Sequence, residues 1–273
     1  MSASWCWAGA RAIGTAHLAG GLPCQDAFAA HVAHAPCGSE ILVAALADGA
    51  GSAERADAGA RLATSLSVEV AAEALADGAG NVQEAAPLLR YAAEQARFAI
   101  AALAGHETRS VADFASTLLL VVLHGDGGVV AQIGDGAVVG EPDGSGGGWE
   151  PLLWPDHGEY VNTTRFLTDA DALDHLRLVE LPGPARNVCL FSDGLERLVL
   201  DFRSRTAHAP FFDAVFRRFG ELPQAGHAAQ VSHELMQLLI SDAVNQRTDD
   251  DKSIVCVSRV RNGNGARRPA QEG

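Results

Sequence analysis

Ile41-Leu42-Val43-Ala44-Ala45-Leu46-Ala47-Asp48-Gly49-Ala50-Gly51 is an apolar run that ends on a carboxylate. The unbroken stretch from Ile41 to Ala47 reads as a strand buried on both faces. Asp-Gly is a leading signature of a tight hairpin, but no return strand follows Asp48-Gly49. Ala50-Gly51-Ser52-Ala53 leads instead into a helical pattern. The pair therefore reads as a strand-to-helix corner, where a loop on a rigid scaffold presents an acid.

The same arrangement recurs. Val188-Cys189-Leu190-Phe191 runs through Ser192 into Asp193-Gly194 and then the short helical pattern Leu195-Glu196-Arg197-Leu198-Val199. Toward the other end, Asp249-Asp250-Asp251 opens through Lys252 into Ser253-Ile254-Val255-Cys256-Val257. Three buried-looking strands thus each deliver a carboxylate at one end. Asp126-Gly127, between Leu118–Leu123 and Val129–Ile133, reads as a hairpin turn and nothing more.

Further strands are expected near Cys6–Ile13, Ala27–Val32, Ser116–Leu123, Ala137–Gly140 and Ser253–Val260, each rich in apolar residues and bounded by Gly, Pro or Asp. Two helices lie together between the third and fourth strands. In one, Leu62, Leu66, Val70 and Ala74 recur every four residues. In the other, Leu88, Ala92, Ala96, Ala99 or Ile100, and Leu103 form a stripe, with Pro87 in the first turn. Two more are expected near Pro210–Phe219 and Ala225–Asp242, where Val231, Leu235 and Leu238 or Leu239 share a face. Consecutive helices between strands do not fit regular βαβ alternation. The order implies an α+β layered domain with a mostly antiparallel sheet. Trp154–Leu178 carries weak periodicity, as functional flaps often do. Residues 261–273 read as a flexible C-terminal tail, leaving 1–260 as one domain.

The composition narrows the function. With 48% hydrophobic residues a sizeable core can form. A net charge of −14 leaves no basic footprint for nucleic acid and none for anionic lipid. The five cysteines include no C-x-x-C, and Cys189 and Cys256 sit in apolar runs as small hydrophobes. No secretory leader and no apolar run of membrane-spanning length is seen, so a cytoplasmic protein is expected.

Carboxylates without His or Cys partners select hard cations such as Mg²⁺ or Mn²⁺. Two such ions can share a water, lower its pKa and present it in line to a phosphorus, offsetting the charge that makes phosphate monoesters resist attack.

The pieces together resemble the PP2C (PPM) family of serine/threonine phosphatases, in a divergent bacterial branch. They occur in family order from Thr15 to about Val257: Gln25-Asp26, Asp48-Gly49-Ala50-Gly51, Ala115-Ser116-Thr117, Gly134-Asp135-Gly136, Ser192-Asp193-Gly194 and Asp250-Asp251-Lys252-Ser253. The resemblance implies a four-layer α/β/β/α sandwich of two mainly antiparallel sheets flanked by helices. It implies hydrolysis of phosphoserine or phosphothreonine in a protein, by hydroxide held between two Mg²⁺ or Mn²⁺ ions. Asp48 would bridge both ions, the Gly49 carbonyl would be a ligand, and Asp193 and Asp250 would complete one shell. Asp135 with Asp193 would hold a third, weaker ion, and Asp26 would lie in the acidic cluster. For Asp135 a plain hairpin stays equally open. The partners implied are a phosphorylated protein and a cognate Ser/Thr kinase.

Three positions depart from the family. Gln25 stands where an acid is usual, Gly21 where many members carry a phosphate-gripping base, and Ala50 where some carry a histidine. These departures motivate an alternative, a catalytically silent module that binds a kinase or another regulator. His17 is a candidate to contact phosphate or act as the acid; capping a strand end is the competing role. In this branch Gly158–Thr164 would belong to the flap beside the metals, and Asn162, Thr164 or Arg165 are candidates to touch a phosphopeptide; a solvated loop is the competing reading.

Overall fold

The computed structural model describes residues 3–78, 82–144, 148–156, 164–221 and 225–260. In chain order the elements begin with β1 (Ser4–Ala12), α1 (Thr15–Gly20), β2 (Ala27–His34), β3 (Glu40–Ala47), α2 (Ala56–Ala76) and α3 (Val82–His106). There follow β4 (Leu118–His124), β5 (Gly127–Ile133), β6 (Ala137–Pro142), β7 (Glu150–Leu153), β8 (Arg177–Leu181), β9 (Ala185–Phe191) and α4 (Asp193–Val199). The chain continues through β10 (Leu200–Asp201), β11 (Thr206–Ala207), α5 (Ala209–Gly220), β12 (Gly226–His227), α6 (Ala229–Leu239), α7 (Asp242–Asn245) and β13 (Lys252–Val260).

Two sheets face each other, one ordered β12-β1-β13-β9-β6-β7 and the other β2-β3-β4-β5-β8. All pairings are antiparallel except β1 with β12. Strand alternation explains the layers. On β3, Leu42, Ala44 and Leu46 meet Val188, Leu190, Val255 and Val257 in the core between the sheets. Ile41, Val43, Ala45 and Ala47 point the other way, onto α2 and α3. On the far side, Cys189, Phe191, Ile254 and Cys256 pack under α5 and α6. Central strands buried on both faces need continuous apolar sequence, which is why these runs do not alternate with polar residues. The four-layer α/β/β/α sandwich is the observed architecture.

Some expected details differ. In α2 the stripe Leu62, Leu66, Val70 and Ala74 is only half-buried. The buried face is Ala60, Ala63, Thr64, Ser67, Ala71, Ala72 and Leu75. Mostly small residues let this helix sit close against β2 and α3, so Leu62, Leu66 and Val70 flank the contact, while Val68 and Leu75 are the large side chains that make it. Helix α3 begins at Val82, which puts Pro87 beyond the first turn. The stripe of α3 uses Ile100, and α6 buries Leu239 and not Leu238. Strands β7 and β8 fall where no strand was expected. The tail at 261–273 and residues 157–163 of the flap segment lie outside the described residues. No helix among the described residues is long and apolar enough to cross a membrane.

Candidate active site

Strand register gathers the acids. Ala27 pairs with Ala47, so Asp26 and Asp48 flank neighbouring strand ends. Phe191 pairs with both Ile254 and Ala137, so Asp193 stands beside the approach to β13 and beside Asp135, just ahead of β6. Ala12 pairs with Lys252, which brings the segment after β1 to Asp250 and Asp251. All these strand ends lie at one end of the sandwich.

There a cavity of about 350 Å³ is lined by Asp48, Gly49, Ala50, Asp135, Asp193 and Asp250, and by His17, Thr117, Thr164 and Phe166. The corner after β3 is sewn to the strand beside it. The Asp48 N–H donates to Thr117 Oγ1 (2.9 Å), the Thr117 N–H to the Asp48 carbonyl (2.8 Å), and the Ala50 N–H to the Ala115 carbonyl (2.9 Å). Gly194 lets α4 start against β13: a β-carbon there would come within 1.9 Å of the Asp251 carbonyl oxygen.

The competing hairpin role for Asp135 fails. Strand β5 belongs to one sheet and β6 to the other, so Gly134-Asp135-Gly136 is a crossover between layers. The carboxylate is buried in the cavity wall and accepts a hydrogen bond from Thr164 Oγ1 at 2.6 Å. Arg165 turns away toward Asp171, 3.4 Å distant, and Asn162 lies outside the described residues. Asp26 is fully buried behind the cavity and accepts from Ser192 Oγ at 2.7 Å; it does not line the wall. His17 caps no strand. It lies on α1, whose end is closed by Gly21 in the left-handed conformation (φ 68°), a backbone state that disfavours any basic side chain there.

The crowding is electrostatically strained. Burial, then Asp26, Asp193 and Asp250, push Asp48 well above the carboxylate range. Burial, then the negative charge of Asp135 and Asp250, pushes Asp193 up to about 6. Glu196, half-buried beside Asp193 and Asp135, rises to about 7, again chiefly through burial. The Oδ1 atoms of Asp193 and Asp26 are buried without a hydrogen-bond partner. Lys252, fully buried, donates to Asn245 Oδ1 at 2.9 Å and supplies one positive charge beneath the acids.

Sequence reasoning missed Asp251. Its carboxylate is 1% exposed and accepts from the Gly14 N–H and the Gln25 N–H, both at 2.6 Å, while Oδ2 lies 2.9 Å from His17 Nδ1. In a run of three aspartates only the strand period separates the middle residue from its neighbours, and it does not say which faces inward.

The sandwich with an acidic mouth is a phosphatase fold. PppA of Pseudomonas aeruginosa superposes with a TM-score of 0.61 at 19% identity, covering 94% of this chain and 98% of that one. The serine/threonine phosphatase PstP/Ppp of Mycobacterium tuberculosis does so with a TM-score of 0.60 at 18% identity, covering 93% and 98%. Residues 13–266 match the model of protein phosphatase 2C, and the chain belongs to that family. It is 35% identical over 251 residues to serine/threonine-protein phosphatase 3 of Escherichia coli strain K12, a match spanning 92% of this chain and 97% of that protein.

Proposed function

We propose that this protein removes phosphate from phosphoserine or phosphothreonine in a protein substrate, using divalent metal ions held by Asp48, Asp193 and Asp250. One observation carries this: those three carboxylates, far apart in sequence, line one cavity. Among the described residues no three His, Cys, Asp or Glu side chains already form a closed ligand group. The donor set nevertheless fits a hard cation. It is all oxygen, the carboxylates raise one another's pKa, and a buried Asp193 oxygen has no hydrogen-bond partner. Asp48, the Gly49 carbonyl, Asp193 and Asp250 would hold Mg²⁺ or Mn²⁺, and Asp135 with Asp193 a third, weaker ion. Asp26, behind the wall, would fix the cluster without direct ligation. Bound ions would activate a water and offset the charge of the phosphate.

The protein's own groups do the rest. Thr164 holds the Asp135 carboxylate. The Thr117 bonds fix the direction of Asp48. His17 is the nitrogen base lining the cavity. A Ser/Thr kinase is the class of enzyme that would supply such a substrate. The test is release of phosphate from a phosphothreonine peptide with Mn²⁺, with chelator, and with Asp193→Asn. Activity that requires Mn²⁺ and disappears in the variant supports the proposal. Activity that persists in chelator defeats it, and a chain that binds Mn²⁺ by calorimetry yet hydrolyses nothing would be a binding module.

A further inference from the structure

We infer that Asp251 is a positioning residue that holds His17 as the proton donor to the leaving oxygen of the substrate; the inference rests on the phosphatase function proposed above. Helix α1 buries none of its residues, so apolar packing does not account for its placement. It is tied to the approach to β13 just before His17, where the Ala16 N–H donates to the Asp249 carbonyl (3.0 Å), and its own end is capped by the Leu22 N–H on the His17 carbonyl (2.9 Å). Beneath lies Asp251, locked by two backbone N–H donors from the segments on either side of α1. His17 Nδ1 is shut off from solvent and lies 2.9 Å from Asp251 Oδ2, bent from ideal hydrogen-bond geometry. Such contacts commonly tighten only when substrate is bound.

The other ring nitrogen faces the site. A β-carbon on Gly51 would lie 3.8 Å from His17 Nε2, so Nε2 stands over the Asp48–Gly51 corner, where Ala50 and Gly51 leave room for it. Asp251 does not line the cavity and cannot meet substrate; its influence passes through the imidazole. A carboxylate on Nδ1 fixes ring orientation and leaves Nε2–H for the reaction.

The chemistry requires such a donor. When water attacks phosphorus, the bond from phosphorus to the seryl or threonyl oxygen breaks and its electron pair goes to that oxygen. An alkoxide is a poor leaving group, so Nε2–H transfers its proton as the bond breaks. The attacking water ends as the new hydroxyl of phosphate, and its released proton returns to the imidazole through solvent. The products are the free side-chain alcohol and inorganic phosphate.

A change of leaving group tests this. Nitrophenolate departs without help, so p-nitrophenyl phosphate bypasses the donor while using the same acidic centre. With Mn²⁺ present, His17→Gln and Asp251→Asn should each lower kcat on a phosphothreonine peptide by ~100-fold or more, the usual size of general-acid contributions. On p-nitrophenyl phosphate the loss should stay within roughly fivefold, set against that ~100-fold contribution. The double variant should match His17→Gln on both substrates, because residues acting as a unit do not add. Equal losses on the two substrates, or losses that multiply in the double variant, overturn the inference and leave Asp251 a structural anchor. His17→Gln keeps a polar side chain of similar reach over Asp251, on a helix that buries none of its residues, so its substrate split decides the donor role even if Asp251→Asn fails to fold. A wild type that hydrolyses neither substrate with Mn²⁺ overturns the phosphatase proposal itself, and this inference with it.

Discussion

Replacing Asp193 with Asn should stabilise the metal-free protein while abolishing hydrolysis. Asp193 is held at about 6 against an ordinary 3.8, by burial first and then by Asp135 and Asp250. Each unit is worth about 1.4 kcal/mol, so a shift of roughly two units gives about 3 kcal/mol. Partial solvent access and the loss of charge on a group that accepts from the Gly194 N–H reduce the expected gain to about 1–2 kcal/mol. The sign follows from linkage. A carboxyl whose folded pKa is raised binds its proton more tightly in the folded state, so stability falls as pH rises from about 4 through about 6 and stays low above. The advantage of the Asn variant should therefore be full near pH 7.5 and absent near pH 3.5. Urea unfolding in chelator at both pH values measures it. In excess Mn²⁺ the order should reverse, because only the wild type keeps a full ligand set. A variant that is no more stable than wild type in chelator near pH 7.5, or equally favoured near pH 3.5, would refute the idea that these carboxylates strain the fold.

Three more predictions come from the same end of the sandwich. Ser192→Ala removes the donor to Asp26 and the acceptor for the Ser253 N–H (2.9 Å), and should lower stability by about 1–3 kcal/mol in urea unfolding. Gly194→Ala drives a β-carbon into the Asp251 carbonyl, so at least about 2 kcal/mol of destabilisation should appear, with weaker Mn²⁺ binding by calorimetry. Adding Mn²⁺ at ~100 times its dissociation constant should stabilise the wild type by about 2.7 kcal/mol in urea unfolding, and the Asp48→Asn variant by much less.

Much of this architecture is legible in the residues. The apolar runs that end at Asp48 and Asp193 and the one that follows Asp250 mark the central strands and the acids they carry, because burial on both faces demands such runs. What stayed hidden is decided by partners distant in sequence. Nothing near Asp135 says that β5 and β6 enter different sheets, so crossover and hairpin look alike locally. The contact face of α2 is mostly alanine, serine and threonine, with Val68 and Leu75 the large side chains on it, and the i, i+4 stripe of larger residues points to its flank instead. Asp251 declares itself only through Gly14 and Gln25, more than two hundred residues earlier in the chain.

The pairing of β1 with β13 runs unbroken from Ser4 opposite Val260 to Ala12 opposite Lys252. During synthesis β1 must wait for β13, far later in the chain, before its central neighbour exists, and such long-range closure is slow. Asp250, Asp251 and the anchoring of His17 all arrive with β13. A partly made chain can therefore carry most of these helices and the whole β2-β3-β4-β5-β8 sheet while the acidic mouth is still open, so the site closes only once β13 has been added.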